Sequence, residues 1–353
     1  MRIVVDAMGG DLAPHAPVHG AILYDRETRG QDQVILVGDQ DAIEAELLRH
    51  RYLPPKNVEV VHAPEVIRMD EPPAIAVRQK KDSSMVKGLR LLSEGKADAF
   101  VSAGSTGAQM VASLLTLGRV KGVHRPGLGA VLPLENGVVL LIDVGANADC
   151  KPLNLLQFGV MGSVFMEYIF EIPHPRCALL SIGEEKSKGN ELTIAAHELM
   201  EKHLSNFIGN VEGRDILTGK ADVIVTDGFT GNVLLKFAES IIDVFGRSLK
   251  RRIKKNLFSM AGAIMMRPAF KSMKRSYDYE EYGGVPLLGI DGISIICHGS
   301  STPKAIKNAL HVARTMKEKG VNKRIQEELT VRGLTWGEEQ LLQASGTTHR
   351  QKC

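Results

Sequence analysis

The sequence predicts an α/β protein whose central parallel sheet is covered by helices on both faces. Short apolar runs recur along the chain, and longer helical patterns separate most of them. The runs are continuously apolar rather than alternating, as strands buried on two faces are. In chain order, strands are expected at residues 3–5, 34–37, 58–61, 99–101, 130–132, 138–142, 178–182, 207–208, 223–225 and 293–296. Helices are expected over 41–50, 84–92, 107–117, 153–170, 191–203 and 302–317. The last of these opens on a series of cap residues, with Pro303 in the first turn where no N–H is needed. Beyond about residue 319 the rhythm stops, and a helix over 322–329 followed by a flexible, charged tail to 353 is expected. No internal repeat or low-complexity linker divides the chain. Residues 1–318 therefore read as a large α/β unit of one or two lobes.

The chain has 353 residues. At that size roughly 75% of the unfolded surface can be buried, so a core needs no disulfide or structural metal. A composition of 44% hydrophobic, 24% charged and 5% aromatic residues, with 35 glycines, excludes a disordered chain, a collagen and a disulfide scaffold. Cys150, Cys177, Cys297 and Cys353 are scattered without a C-x-x-C pair, as in a reducing cytosol. No apolar run approaches the ~18 residues of a spanning helix. Asp6 also interrupts any signal-peptide stretch. A cytoplasmic protein is expected.

Net charge is only +3, but it is unevenly placed: residues 244–277 hold ten Lys/Arg and no Asp/Glu, leaving −7 on the rest. Within this basic insertion, at about 247–275, Leu257, Met260, Ala261, Ile264 and Met265 fall on one helical stripe, widened by Phe258, Met266 and Phe270. Arg251, Arg252, Lys254 and Lys255 precede the stripe; Lys271, Lys274 and Arg275 follow it. An apolar helical face bracketed by cations suits an anionic membrane surface, where each nearby cation contributes about 1 kcal/mol. It also suits an acidic protein partner, or a core helix with a charged rim. Nucleic acid is not expected, because aromatic interleaving and a binding motif are missing.

Ligands of open parallel sheets gather at the carboxyl ends of strands, where helix N-termini present free N–H groups. Several small, polar turns fall at such positions. Ser102-Ala103-Gly104-Ser105-Thr106-Gly107-Ala108 follows one strand, Thr226-Asp227-Gly228-Phe229-Thr230-Gly231-Asn232 another, and His298-Gly299-Ser300-Ser301-Thr302-Pro303 a third. One such turn is ordinarily cap and turn chemistry; several in one chain point toward an oxyanion site. Asp143-Val144-Gly145-Ala146-Asn147 and the loop carrying Lys188, Gly189 and Asn190 end further strands.

Other chemistries fail on spacing. No G-x-G-x-x-G occurs. The stretch from Gly213 to Ala221 mimics a phosphate-binding loop but has Ala221 where Ser or Thr would hold magnesium. His197-Glu198 lacks a second ligand one helical turn on, and Gly104-Ser105-Thr106-Gly107 is not a nucleophile elbow. Cys297 and His298 are neighbours in an extended segment and face opposite sides. No metal and no cofactor are expected.

Taken together, these motifs identify a family resemblance. Val5-Asp6-Ala7-Met8-Gly9-Gly10-Asp11 with Ala13-Pro14 resembles the opening of the bacterial phosphate acyltransferases of phospholipid synthesis (the PlsX family). The resemblance continues in order through the turns at 102–108, 143–147, 188–191 and 226–232, Tyr282-Gly283-Gly284 and His298-Gly299-Ser300-Ser301, over about residues 1–318. Ser105 stands where this family usually has Asn, and Lys186 where it has an acidic residue. The resemblance implies a three-layer α/β/α, Rossmann-like sandwich similar to isocitrate and isopropylmalate dehydrogenases. It implies acyl transfer from long-chain acyl-acyl carrier protein to inorganic phosphate, a homodimer, and peripheral attachment to the inner face of the cytoplasmic membrane. A membrane glycerol-3-phosphate acyltransferase would consume the product. In this reading Ser105, Thr106, Gly107, Asn232 and Ser300 bind phosphate or substrate, and Lys188 and Asn190 support the transition state. Asp227 orients donors and His298 protonates the departing sulfur. A phosphate acetyl- or butyryltransferase using coenzyme A thioesters needs similar anion sites and is the alternative enzyme. A non-catalytic lipid-surface protein would leave the anion-suited turns without a purpose.

Overall fold

The computed structural model describes residues 1–50, 57–276 and 279–335. Its strands are β1 (Arg2–Asp6), β2 (Gln33–Gly38), β3 (Val58–His62), β4 (Ala99–Ser102), β5 (Gly127–Leu134), β6 (Gly137–Ile142), β7 (Cys177–Leu180), β8 (Phe207–Val211), β9 (Val223–Val225), β10 (Val285–Leu288) and β11 (Ser294–Ile296). They form one eleven-stranded sheet in the order β3-β2-β1-β4-β11-β10-β5-β6-β9-β7-β8. Side chains alternate across it, as a pleated strand requires. Ile3 and Val5 of β1 enter one apolar layer and Val4 the opposite one. Ala178 of β7 likewise faces away from Cys177 and Leu179. With helices over both layers, the expected three-layer α/β/α sandwich is present.

Helices α1 (His15–Thr28), α2 (Gln40–Arg49), α6 (Pro152–Ile169), α7 (Glu191–His203), α11 (Pro303–Lys319) and α12 (Val321–Val331) contribute buried residues to one layer. On the other, α3 (Pro73–Gln79), α4 (Ser84–Ser93) and α5 (Thr106–Leu117) cover β1, β2 and β4. The helix expected near 322–329 is α12, which buries Val321, Ile325 and Leu329. The tail from 336 onward lies outside the described residues.

The sheet is mixed rather than wholly parallel, a correction to the expected topology. β5 and β6 pair antiparallel, as do β10 with β11 and β10 with β5. Only Glu135 and Asn136 separate β5 from β6, whereas a parallel crossover needs a dozen or more residues. Gly137, at φ +109°, takes a conformation open to glycine as the chain reverses. The consequence is directional. β1, β2, β3, β4 and β11 run together, while β6, β7, β8 and β9 run in the opposite sense beyond β10 and β5. β10 itself was not expected, because Pro286 interrupts a short run and Pro cannot donate to a ladder.

The turn at 226–232 leads into α8 (Gly228–Ile253), 26 residues long, which carries the chain into the basic segment. α9 (Leu257–Met265) and α10 (Arg267–Ser276) follow. The stripe expected over 257–270 is thus broken at Met266, which caps α9, with Pro268 in the first turn of α10 where it is tolerated. α9 packs on α8 and α10. Among the described residues no helix is long and apolar enough to cross a membrane.

Candidate active site

The loops after β1, β4 and β11 converge because those strands are adjacent and parallel. Ser102 Oγ donates to Asp6 Oδ2 at 2.7 Å, and Asp11 N donates to the Gly299 carbonyl at 2.8 Å. Gly9 is required at this crossing: a Cβ there would lie 2.7 Å from Asp6 Oδ2 and 2.8 Å from Gly104 N. Burial pushes the Asp6 carboxyl above its ordinary pKa, while Ser84, Ser102 and the N–H groups of Met8 and Gly9 oppose the shift. This convergence brings together five residues expected from the sequence: Ser105, Thr106, Gly107, His298 and Ser300. Ser105 is the N-cap of α5, its side chain accepting from Ala108 N. Thr106 and Gly107 form the first turn, whose N–H groups have no intrahelical acceptor.

Next to it, α11 begins. His298 Nδ1 lies 2.8 Å from Ser300 Oγ, and Ser300 N donates to the same nitrogen at 3.3 Å. That leaves Nε2 as the protonated nitrogen of the neutral ring. Thr302 is the N-cap of α11, yet its side chain makes no cap hydrogen bond. Among the described residues, its buried Oγ1 and the buried Oγ of Ser301 have no hydrogen-bond partner. Buried hydroxyls are ordinarily satisfied, so two unpartnered ones at one helix N-terminus are a departure from the rule. Neither was singled out in the sequence, where they read only as cap residues.

A second convergence lies on the oppositely running strands. Asp143, fully buried after β6, accepts from Leu128, Gly145, Ala146 and Asn147 backbone N–H groups and from Asn147 Nδ2, at 2.7 to 3.1 Å. Burial raises the pKa of this carboxyl against those donors. Gly228 and Gly231, at the start of α8, pass so close to the loop that a Cβ on Gly231 would lie 1.9 Å from the Asp143 carbonyl oxygen. Asn232 packs beside Gly145. Asp227 caps α8 by accepting from Thr230 N and Oγ1 at 2.9 and 2.7 Å. Asn190 caps α7 in the same way, accepting from Thr193 N at 2.9 Å. That cap uses Oδ1, and among the described residues no hydrogen bond from the Asn190 side-chain N–H groups is seen.

Asn190 and Asp227 line one open cavity of about 370 Å³ with Ala148, Asp149, Cys150, Leu192, Phe229 and Thr230. Lys188 is exposed two residues from Asn190, its stem over Gly183. A larger cavity of about 560 Å³, between Pro64 and Lys80, holds none of the residues expected from the sequence. The nine candidates therefore form two groups, five on one strand set and Lys188, Asn190, Asp227 and Asn232 on the other. α5 leads from one group toward the other: Met110, one turn beyond Thr106, packs against the same apolar cluster as Ala146, Leu234 and Leu235.

The sequence that builds these helix N-termini matches a known family over most of its length. The family described as fatty acid synthesis protein matches residues 1–324. The chain belongs to this family. It is similar to a phosphate acyltransferase of Pelotomaculum thermopropionicum, at 53% identity over 318 residues, 90% of this chain and 92% of that one. It is similar to a phosphate acyltransferase of Heliobacterium modesticaldum, at 52% over 329 residues, 93% of this chain and 98% of the relative. Among solved structures, a phosphotransacetylase from Streptococcus pyogenes covers 90% of this chain and 94% of its own with a TM-score of 0.59 at 18% identity, a likeness of fold. Membership in the fatty acid synthesis protein family accords with the resemblance carried by the motifs from Val5 to Ser301.

The basic segment lies apart from both groups. Arg251, Arg252, Lys254 and Lys255 are exposed, around the end of α8. Leu257 opens α9, in which Ile264 and Met265 are 71% and 83% exposed, so this stripe is not a core face.

Proposed function

We propose that the chain is a phosphate acyltransferase that moves a long acyl group from acyl carrier protein to inorganic phosphate. The observation that carries the reading is the pair of helix N-termini, α5 and α11, opening from adjacent parallel strands, with the Ser301 and Thr302 hydroxyls at the start of α11 unpartnered among the described residues. Free N–H groups and hydroxyls at two positive helix ends suit a phosphate dianion. Thr106, Gly107 and Ser300 complete its seat.

Phosphate is already an anionic nucleophile, so the chemistry needs no activated side chain. A phosphate oxygen attacks the thioester carbonyl carbon, the carbonyl oxygen becomes an oxyanion, and the C–S bond breaks as the carbonyl re-forms. The enzyme's tasks are to hold two anions together and to stabilise the oxyanion. Lys188 and the Asn190 amide are assigned to the oxyanion, with Asp227 and Asn232 fixing the loop that carries them. The leaving thiolate takes the proton that the phosphate hydroxyl loses as it becomes an acyl phosphate, while His298 Nε2–H hydrogen-bonds the departing sulfur. The acidic carrier docks on Arg251, Arg252, Lys254 and Lys255. The exposed apolar side of α9 rests on the cytoplasmic membrane surface, where a glycerol-3-phosphate acyltransferase takes the product. A homodimer is part of this reading.

The test incubates the protein with long-chain acyl-acyl carrier protein and phosphate, traps acyl phosphate with hydroxylamine, and repeats with acyl-coenzyme A. Hydroxamate from the carrier substrate is expected; hydroxamate from coenzyme A alone replaces this reading with the coenzyme A enzyme. Lys188→Ala and Asn190→Ala are each expected to lower kcat about 10²-fold or more, as loss of an oxyanion donor does. Intact turnover in both variants removes those two residues from the mechanism.

A further inference from the structure

Away from both loop groups, α1 and α2 bring three histidines and a buried glutamate together. His15 and His19 lie one helical turn apart on α1, and Glu46 and His50 one turn apart at the end of α2, so each pair shares a helix face. Glu46 is 4% exposed, and its Oε1 lies 2.6 Å from His15 Nδ1 and 3.0 Å from His50 Nε2. Its other oxygen takes Arg49 at 2.9 Å. The His19 ring stacks on His50 with centroids 4.1 Å apart. Among the described residues, the His19 ring makes no hydrogen bond. One nitrogen from each of the three imidazoles falls within 4.8 Å of the others.

From this juxtaposition we infer that His15, His19, His50 and Glu46 form a binding site for a divalent first-row transition ion of the zinc type. Three imidazoles and one carboxylate are a donor set such ions favour, whereas magnesium and calcium prefer oxygen. A tetrahedral ion with bonds of about 2.0–2.1 Å needs ligand nitrogens roughly 3.4 Å apart. The rings must therefore close by about an ångström and unstack. His15, whose side chain is 48% exposed, has room to turn. The carboxyl-terminal pole of α2, where His50 sits, favours a cation. Glu46 either takes the fourth position or orients His15 and His50 through their second nitrogens. The loop that enters α1 also carries Asp11, which is bonded to Gly299. An ion here would clamp α1 to α2.

The experiment uses the full chain without a histidine tag. Zinc uptake is measured by calorimetry, and cobalt uptake by its d–d absorption. One ion per chain is expected, with a tetrahedral cobalt spectrum lacking a thiolate charge-transfer band. His19→Ala and the pair His15→Ala with His50→Ala are expected to abolish stoichiometric uptake. Glu46→Gln is expected to weaken zinc about 10–100-fold, and His174→Ala, a surface control, to change nothing. Melting curves in chelator establish that the variants fold. Independently of any variant, zinc is expected to protect His15, His19 and His50 of the wild type from diethyl pyrocarbonate while leaving His174 open to it. Uptake unchanged in the double variant, a thiolate band, or equal modification with and without zinc overturns the assignment.

Discussion

Cys150 is the nucleophile a reader of the cavity would suspect, since it lines the wall shared by Asn190 and Asp227. Its chemistry argues otherwise. Burial, with the Asp143 carboxylate nearby, pushes the thiol up to about 11, so roughly 10⁻⁴ of it is thiolate at pH 7. The reactive form grows as pH rises toward that value. In a Cys353→Ser background, alkylation of Cys150 is expected to speed up about tenfold per pH unit from neutral to about pH 10. Cys150→Ser is expected to keep turnover within a few-fold, because direct attack by phosphate passes through no acyl-cysteine. A stable acyl group found on Cys150 would sink direct attack. Ser301 makes the opposite case, a hydroxyl beside a helix N-terminus with no partner among the described residues. Ser301→Ala removes a hydrogen bond of about 1 kcal/mol. It should raise KM for phosphate several-fold to tenfold and leave KM for the acyl donor unchanged, measured by steady-state kinetics with each substrate varied in turn.

Among the elements, those with a simple local period were legible from the sequence. Continuous Val/Ile/Leu runs located ten of the strands, and small polar residues marked the strand-to-helix turns where the candidates sit. What failed was direction and partnership, which depend on connections. The β5–β6 reversal could have been read from the two residues between them, too few for any crossover. The orphaned Ser301 and Thr302 hydroxyls had no sequence signal separating them from ordinary caps. The histidine site joins residues of two helices, His15 and Glu46 being 31 residues apart, beyond the reach of any one motif. α9 shows what local pattern does give. Its stripe was legible, and in the structure Phe258, Ile264 and Met265 are exposed. With the cations of α8 beside it, flotation with anionic vesicles is expected. Ile264→Asp combined with Met265→Asp should reduce the bound fraction at least tenfold, since each change places a charge at the depth of the apolar face. Flotation equal to wild type would leave this segment as a carrier-docking surface only.

For the whole molecule, the decisive fact is that the sheet reverses between β11 and β6, so the two loop groups belong to strand sets of opposite sense. α8 starts in the second group and then leaves the sandwich. Along it Phe229, Val233, Phe237 and Ile241 recur every fourth residue, continued by Val244 and Phe245, and each is at least half exposed. That is an exposed apolar stripe several turns long, the kind of patch that marks an interaction surface. Its spacing is the i, i+4 ridge by which two helices interlock. In the proposed homodimer a second copy of α8 would meet the stripe symmetrically, as an isologous interface does, and would carry the partner's α9 to the same side for a shared membrane contact. Phe237, 63% exposed at the middle of the stripe, is the place to test it. Light scattering of the wild type should give twice the 38.5 kDa chain mass. Phe237→Glu sets two like charges against each other in such an interface and should shift the mass toward a single chain, while circular dichroism stays unchanged. Because Phe229 lies both on this stripe and on the cavity wall, dissociation should also raise KM for the acyl donor more than KM for phosphate. A variant that remains dimeric with both constants unaltered would mean that α8 pairs with something other than its own copy.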